Sequence, residues 1–124
     1  MSQCLYAQTI HGVLASKSNS RRLVYWRGKS RLIKSASALR WMKDAKMQMP
    51  IARGGVLCTL DVRLIAVVYY PTKRNDLDVG LLMDALEANG IIKNDRQIVE
   101  IQARKRWDKE KPRVEVRLEA VDQD

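Results

Sequence analysis

Between positions 56 and 70 every even residue is apolar: Val56, Cys58, Leu60, Val62, Leu64, Ala66, Val68 and Tyr70. A period of two marks a strand with one face against a core, and the odd positions, Thr59, Asp61 and Arg63 among them, are mixed. Pro71 removes a ladder donor and opens a polar loop that carries Lys73, Arg74, Asn75, Asp76 and Asp78. Leu82, Met83 and Leu86 then predict a short helix stopped at Asn89-Gly90, a pair suited to a left-handed cap. Two more strands follow, one alternating Val99, Ile101 and Ala103, the other Val114, Val116, Leu118 and Ala120, with a turn from Asp108 to Pro112. Trp107 continues the first alternation and is assigned to the core.

Upstream the pattern is less regular. Cys4 to Leu14 predicts a first strand, and Ser16 to Arg22 a basic loop. Leu23 to Ile33 predicts two short extended pieces joined at Gly28, a hairpin arm. Ser35 or Ser37 is placed to cap a helix in which Leu39, Met42 and Met49 face the core. Lys46 extends past the edge of that face, Arg40, Lys43 and Asp44 face water, and Pro50 and Gly54-Gly55 end the segment. The order predicts an α+β fold, with a mixed or antiparallel sheet and helices packed on it.

Composition sharpens this picture. A chain of 124 residues suits one small domain spanning 1–124, and 46% hydrophobic residues suffice for its core, although Phe is absent. The net charge is +9, and its 23 Lys plus Arg are spread along the chain, so a folded basic face and a nucleic-acid partner are expected. Cys4 and Cys58 lack zinc or disulfide spacing, and neither a signal peptide nor an apolar span is present. A cytoplasmic protein without a membrane partner is therefore expected. His11, the sole His, sits in the first predicted strand without a recognisable nucleophile beside it.

The candidate chemistry lies with the aspartates. Asp76 and Asp78 are two apart, so an extended segment points both carboxylates to one side. Asp95 follows the short helix, and a strand-helix-return unit is expected to bring all three together. Magnesium, or manganese, takes oxygen ligands and is commonly held by one or two carboxylates plus substrate phosphates. Lys73, Arg74, Lys93 and Arg96 flank these acids. Carboxylates among cations would repel DNA phosphate unless a divalent ion neutralised them. Tyr25 and Trp26, beside Arg21, Arg22, Arg27, Lys29 and Arg31, suit either packing on the sheet or stacking on exposed bases while the cations hold phosphates.

The run Lys73-Arg74-Asn75-Asp76-Leu77-Asp78, followed by Asp84-Ala85-Leu86, Gly90 and Asn94-Asp95-Arg96-Gln97-Ile98-Val99, resembles the RusA-type Holliday junction resolvases. That family has an Asp-Leu-Asp-Asn start, an Asp-Ala-Leu helix, a Gly turn and an Asp-Asp-x-Gln-Val-Val segment. Ser18, Asn19, Arg21 and Arg22 are similar to its N-terminal Ser-Asn-Asn-Arg loop. The resemblance implies a RusA-like fold and a homodimer that cuts four-way DNA junctions in recombination, repair or phage DNA processing. It assigns magnesium or manganese to Asp76, Asp78 and Asp95. Together with the basic patch, this makes Asn19, Arg21, Arg22, Arg27, Lys29, Arg31, Lys73, Arg74 and Lys93 the expected DNA contacts. Three positions depart from the pattern: Asn94 for an Asp, Val79 for an Asn, and Leu82 for a Lys. Lys73, or else Lys93, is expected to supply the missing cation. The alternative is a basic module that binds branched or single-stranded nucleic acid without cutting it.

Overall fold

The computed structural model describes residues 4–17, 21–50 and 55–121. Its centre is β4 (Val62–Tyr70), where Val62, Leu64, Ala66, Val68 and Tyr70 are all buried and the odd positions are half-buried. The strand is shorter than the apolar alternation: Leu60 is 56% exposed, and Cys58 makes only an isolated bridge to Ile92. Strand β6 (Arg113–Ala120) lies antiparallel on one side of β4, and β5 (Ile98–Trp107) lies parallel on the other. Beyond β6 runs β1 (Cys4–His11), which gives a mixed sheet in the order β1-β6-β4-β5. Two helices and this sheet make the expected α+β architecture.

A parallel neighbour cannot be reached by a tight turn, and the crossover is α2 (Gly80–Ala88). Its Leu81, Leu82, Ala85 and Leu86 join the even side of β4 in one buried cluster. The second helix of that layer, α1 (Ala36–Gln48), starts at Ser35, whose Oγ accepts the Ala38 N–H at 3.3 Å. It buries Ala38, Trp41 and Ala45, with Met49 just past its end. The expected core face was thus partly wrong. Leu39 is 54% exposed and Met42 only half-buried, because the indole of Trp41 takes the core position and two alanines beside it let the helix approach closely.

Strand β5 corrects the sequence reading more strongly. Its register sets Ile101, Ala103 and Trp107 opposite Leu64, Ala66 and Tyr70, on the face the helices cover elsewhere. Yet Val99, Ile101 and Trp107 are 54%, 47% and 57% exposed. The alternation is real, but β5 is an edge strand lying beyond the reach of both helices. Trp107 is not a core residue.

The hairpin pairs β2 (Arg21–Trp26) with β3 (Lys29–Lys34) as a separate two-stranded sheet. Arg27 and Gly28, at φ 50° and 76°, form its two-residue turn, whose positive φ values match the twist of the strands. Among the described residues no helix is long and apolar enough to cross a membrane. Cys4 and Cys58 are free, one exposed and one buried.

The corrected helix face is measurable. Trp41→Ala is expected to cost about 3–5 kcal/mol in denaturant unfolding, against less than about 0.5 kcal/mol for Leu39→Ala. Equal losses would put the core face elsewhere.

Candidate active site

The site begins where β4 ends. Tyr70 is buried, and its hydroxyl donates to the Asp76 carbonyl at 2.9 Å while accepting the Asp78 N–H at 3.4 Å. One side chain therefore fixes the backbone at both aspartates. Burial raises the Tyr70 pKa above its ordinary value, and the Asp78 and Asp76 charges push the same way, so the phenol stays a donor at neutral pH. The approach is shaped by a turn in which Thr72 Oγ1 donates to Asn75 Oδ1 at 3.1 Å and accepts the Arg74 N–H at 3.3 Å.

Asp78 is half-buried and doubly held. Its Oδ1 accepts the Gly80 N–H at 2.8 Å, which opens α2, and its Oδ2 accepts from Ser16 Oγ at 2.8 Å. Each carboxylate oxygen has two lone pairs, and an oxygen of this kind accepts from a hydrogen-bond donor and binds a cation alike. Asp76 is exposed at the rim of a cavity of about 360 Å³, lined also by Ser16, Arg40, Trp41, Asp44 and Asn75. The loop after β1, the helix α1 and the loop after β4 thus meet around the Asp76–Asp78 pair. Two hard oxygen donors of this kind suit magnesium or manganese, which need few protein ligands when substrate phosphate supplies others.

Asp95 stands elsewhere. It opens a single 3-10 turn, Asp95–Gln97, where its N–H is received by Glu87 at the far end of α2, at 2.9 Å. Gln97 Nε2 donates to the Cys58 and Leu60 carbonyls, just before β4 begins. Val62 pairs with Ile98 and Tyr70 with Trp107, so Asp95 and the Asp76–Asp78 pair lie at opposite ends of β4 and β5. A nine-residue strand spans ~27 Å. The expected convergence of three carboxylates does not occur within one chain: among the described residues no group of three or more metal-ligating side chains forms. Parallel pairing is the reason, since the crossover carries the chain back down the sheet before β5 starts.

The remaining cations fall in different places. Lys73 Nζ sits 4.3 Å from the centre of the Trp107 ring, and the Lys73 carbonyl accepts from Lys105 Nζ at 2.9 Å. Lys93 is exposed beside Asp95, at the opposite end from Asp76. Arg74 and Arg27 are exposed. Arg21, Arg22, Lys29 and Arg31 are in the hairpin strands, whereas Ser18 and Asn19 lie outside the described residues. Leu82 is fully buried, so position 82 belongs to the core in this chain. His11 is exposed at the end of β1, its carbonyl accepting from Gln48 Nε2 at 2.8 Å.

The profile of the family described as Endodeoxyribonuclease RusA matches residues 15–119. This chain belongs to the RusA endodeoxyribonuclease family. Its activity is accordingly of the endodeoxyribonuclease, Holliday-junction-resolvase type. Comparison with curated proteins gives no match. The match runs from Ala15, beside the serine that holds Asp78, to Glu119 in β6, and so takes in Asp76, Asp78, Asp95 and the strands β4, β5 and nearly all of β6.

Ser16, Lys17 and Tyr70 were not singled out as site residues from the sequence. Ser16 and Lys17 read as turn formers, Tyr70 as one more apolar position of a strand. Nothing in the local pattern ties residue 16 to residue 78.

The tyrosine clamp leads to a prediction. Tyr70→Phe removes two hydrogen bonds and is expected to cost about 1–2 kcal/mol and to slow DNA cleavage. Because folding raises the Tyr70 pKa, its stabilising effect is complete below the ordinary tyrosine value of about 10 and lost as pH climbs through the folded value. Unfolding titrations from neutral to alkaline pH should show a shallower decline in the Phe variant.

Proposed function

We propose that this chain is a magnesium- or manganese-dependent endonuclease that resolves Holliday junctions of recombination and repair by paired phosphodiester hydrolysis, and that it acts as a homodimer with composite sites. What carries the reading is the Asp76–Asp78 pair, clamped by Tyr70 and Ser16 beside a cavity that Asp76 lines, in a chain of the RusA family. Asp76 and Asp78 of one protomer and the partner's Asp95 would hold the ion. A bound divalent ion would acidify a coordinated water and offset the charge that develops at phosphorus.

The two-chain site is supported by the edge strand. Among the described residues β5 has β4 on one side and no strand on the other, and its apolar row Ile101, Ala103 and Trp107 continues the covered face without cover. Pairing two copies of β5 antiparallel about a two-fold axis normal to the sheet would continue the sheet and bring these rows together. The same pairing would carry the start of one β5 to the end of the other. The partner's Asp95 and Lys93 would then approach the Asp76–Asp78 end. Two equivalent sites from one two-fold axis suit two symmetric cuts.

The other residues have roles of the usual kind. Lys73, Arg74, Arg40 and the basic hairpin with Arg27 at its tip are suited to phosphates, which set orientation without reading sequence. Aromatic residues such as Tyr25 and Trp26 would stack on exposed bases at the junction centre. Cytoplasmic action follows from this substrate.

The test is cleavage of a labelled synthetic four-way junction and of a linear duplex, with magnesium, manganese or chelator. Metal-dependent paired nicks confined to the junction are expected. Tight junction binding without any cut would instead favour a non-enzymatic module for branched DNA.

Asp76→Asn should lower the cleavage rate by roughly 1000-fold or more while leaving junction binding equal or tighter. Asp76→Asn and Asp95→Asn proteins, each inactive alone, should regain roughly a quarter of wild-type nicking after subunit exchange, since a mixed two-fold dimer rebuilds one of its two sites. No recovery would mean that each site is built from one chain.

A further inference from the structure

We propose that Lys17 is the cation that meets the scissile phosphate beside Asp76 and Asp78, with Asp84 as its positioning residue; this rests on the nuclease reading above. Charge accumulates on phosphate oxygens as the phosphodiester is attacked, and a fixed cation there acts on the transition state more than on the ground state. Of the lysines expected to serve, Lys73 lies over the Trp107 ring, and Lys93 would reach this end only from the partner, with Asp95; within one chain Lys17 is the lysine whose stem passes Asp78.

Lys17 comes to the carboxylates from a distant part of the sequence. It follows Ser16, whose hydroxyl holds Asp78 Oδ2 at 2.8 Å, so the residue that anchors the aspartate also delivers the lysine. Its stem runs over Gly80. A Cβ added at Gly80 would stand 2.9 Å from Lys17 Cβ, 3.0 Å from Lys17 Cδ and 3.0 Å from Asp78 Oδ1. The lysine stem and the carboxylate oxygen therefore crowd the same spot, open only because residue 80 has no side chain. Beyond it Lys17 Nζ meets Asp84 Oδ1 at 3.1 Å, on the helix face that also carries Gly80, one turn earlier.

Neither partner is deeply buried: the Lys17 side chain is 38% exposed and that of Asp84 26%. An ammonium has three donors, so contact with Asp84 leaves others for a phosphate oxygen. Asp84 thus holds the amine one helical turn beyond Gly80, on the face where the lysine stem passes Asp78 Oδ1, without consuming it. Lys17 transfers no proton in this scheme; it supplies a positive charge.

The experiment is single-turnover cleavage of the four-way junction by the full-length protein, with magnesium, alongside junction binding in chelator. Lys17→Ala should cut about 100-fold more slowly or worse with binding nearly unchanged, and its dependence on magnesium concentration should match wild type. Lys17→Arg should keep a substantial part of the rate. Asp84→Asn should fall between them, since the amine remains but is no longer held. Added ethylammonium should restore the Lys17→Ala rate in a saturable way, a response that a merely structural lysine would not give. That rescue and the arginine variant keep the test decisive if Lys17→Ala weakens the fold. A wild-type protein that cuts, with Lys17→Ala within about threefold of it, a change under 1 kcal/mol, would overturn the role of Lys17 and leave the nuclease reading standing. A wild-type protein that binds junctions and never cuts them would overturn both.

Discussion

The parallel pairing of β4 with β5 is the constraint on which the rest depends. Antiparallel neighbours can be joined by two residues, but parallel ones need a crossover the length of the strand. Here it consists of the loop carrying Asp76 and Asp78, the helix α2, and the 3-10 turn at Asp95. The two acidic positions are thereby assigned to opposite ends of the sheet. The same topology leaves β5 at the edge, where its far side faces no other strand among the described residues. A separated acidic set and an open edge are two consequences of one pairing, and a two-fold dimer through that edge would answer both.

Around the Asp76–Asp78 pair, the chain invests in holding backbone. Tyr70 is the last residue of the central strand, buried beneath the loop it controls, and its hydroxyl reaches both aspartates. Ser16 and the amide of Gly80 take the two oxygens of Asp78. A carboxylate pair is costly to hold close, because like charges repel when no cation is bound. Neutral donors such as these reduce that cost.

Strain is not needed to explain the charge pattern on the other face of the sheet. Arg63 on β4 pairs with Glu100 on β5 and, at 3.4 Å, with Glu119 on β6, tying the three strands where no helix covers them. Arg113 lies 3.7 Å over the Tyr69 ring and 3.0 Å from Asp108, which closes the turn between β5 and β6. These partly exposed pairs are worth little each in water. Arg63–Glu100 joins β5 to β4, and the others join β6 to β4 and to the turn that follows β5.

The sequence by itself determined the elements and the chemistry: an alternating central strand, a proline that ends it, a short helix stopped at Asn89-Gly90, and an Asp-Leu-Asp segment among basic residues. These are legible because period, turn chemistry and charge are local properties. It did not determine which apolar residues are buried. Leu39 and Trp107 carry the correct spacing, yet one lies off the helix face that Trp41 and its flanking alanines bury, and the other stands on an edge that no helix reaches. Nor did it reveal that Ser16 and Lys17 join Asp78 and Asp84, or that Asp95 stands a full strand away. Those relations depend on which strands pair and in which direction, a choice made by burying the whole core at once, so only the tertiary structure decided them.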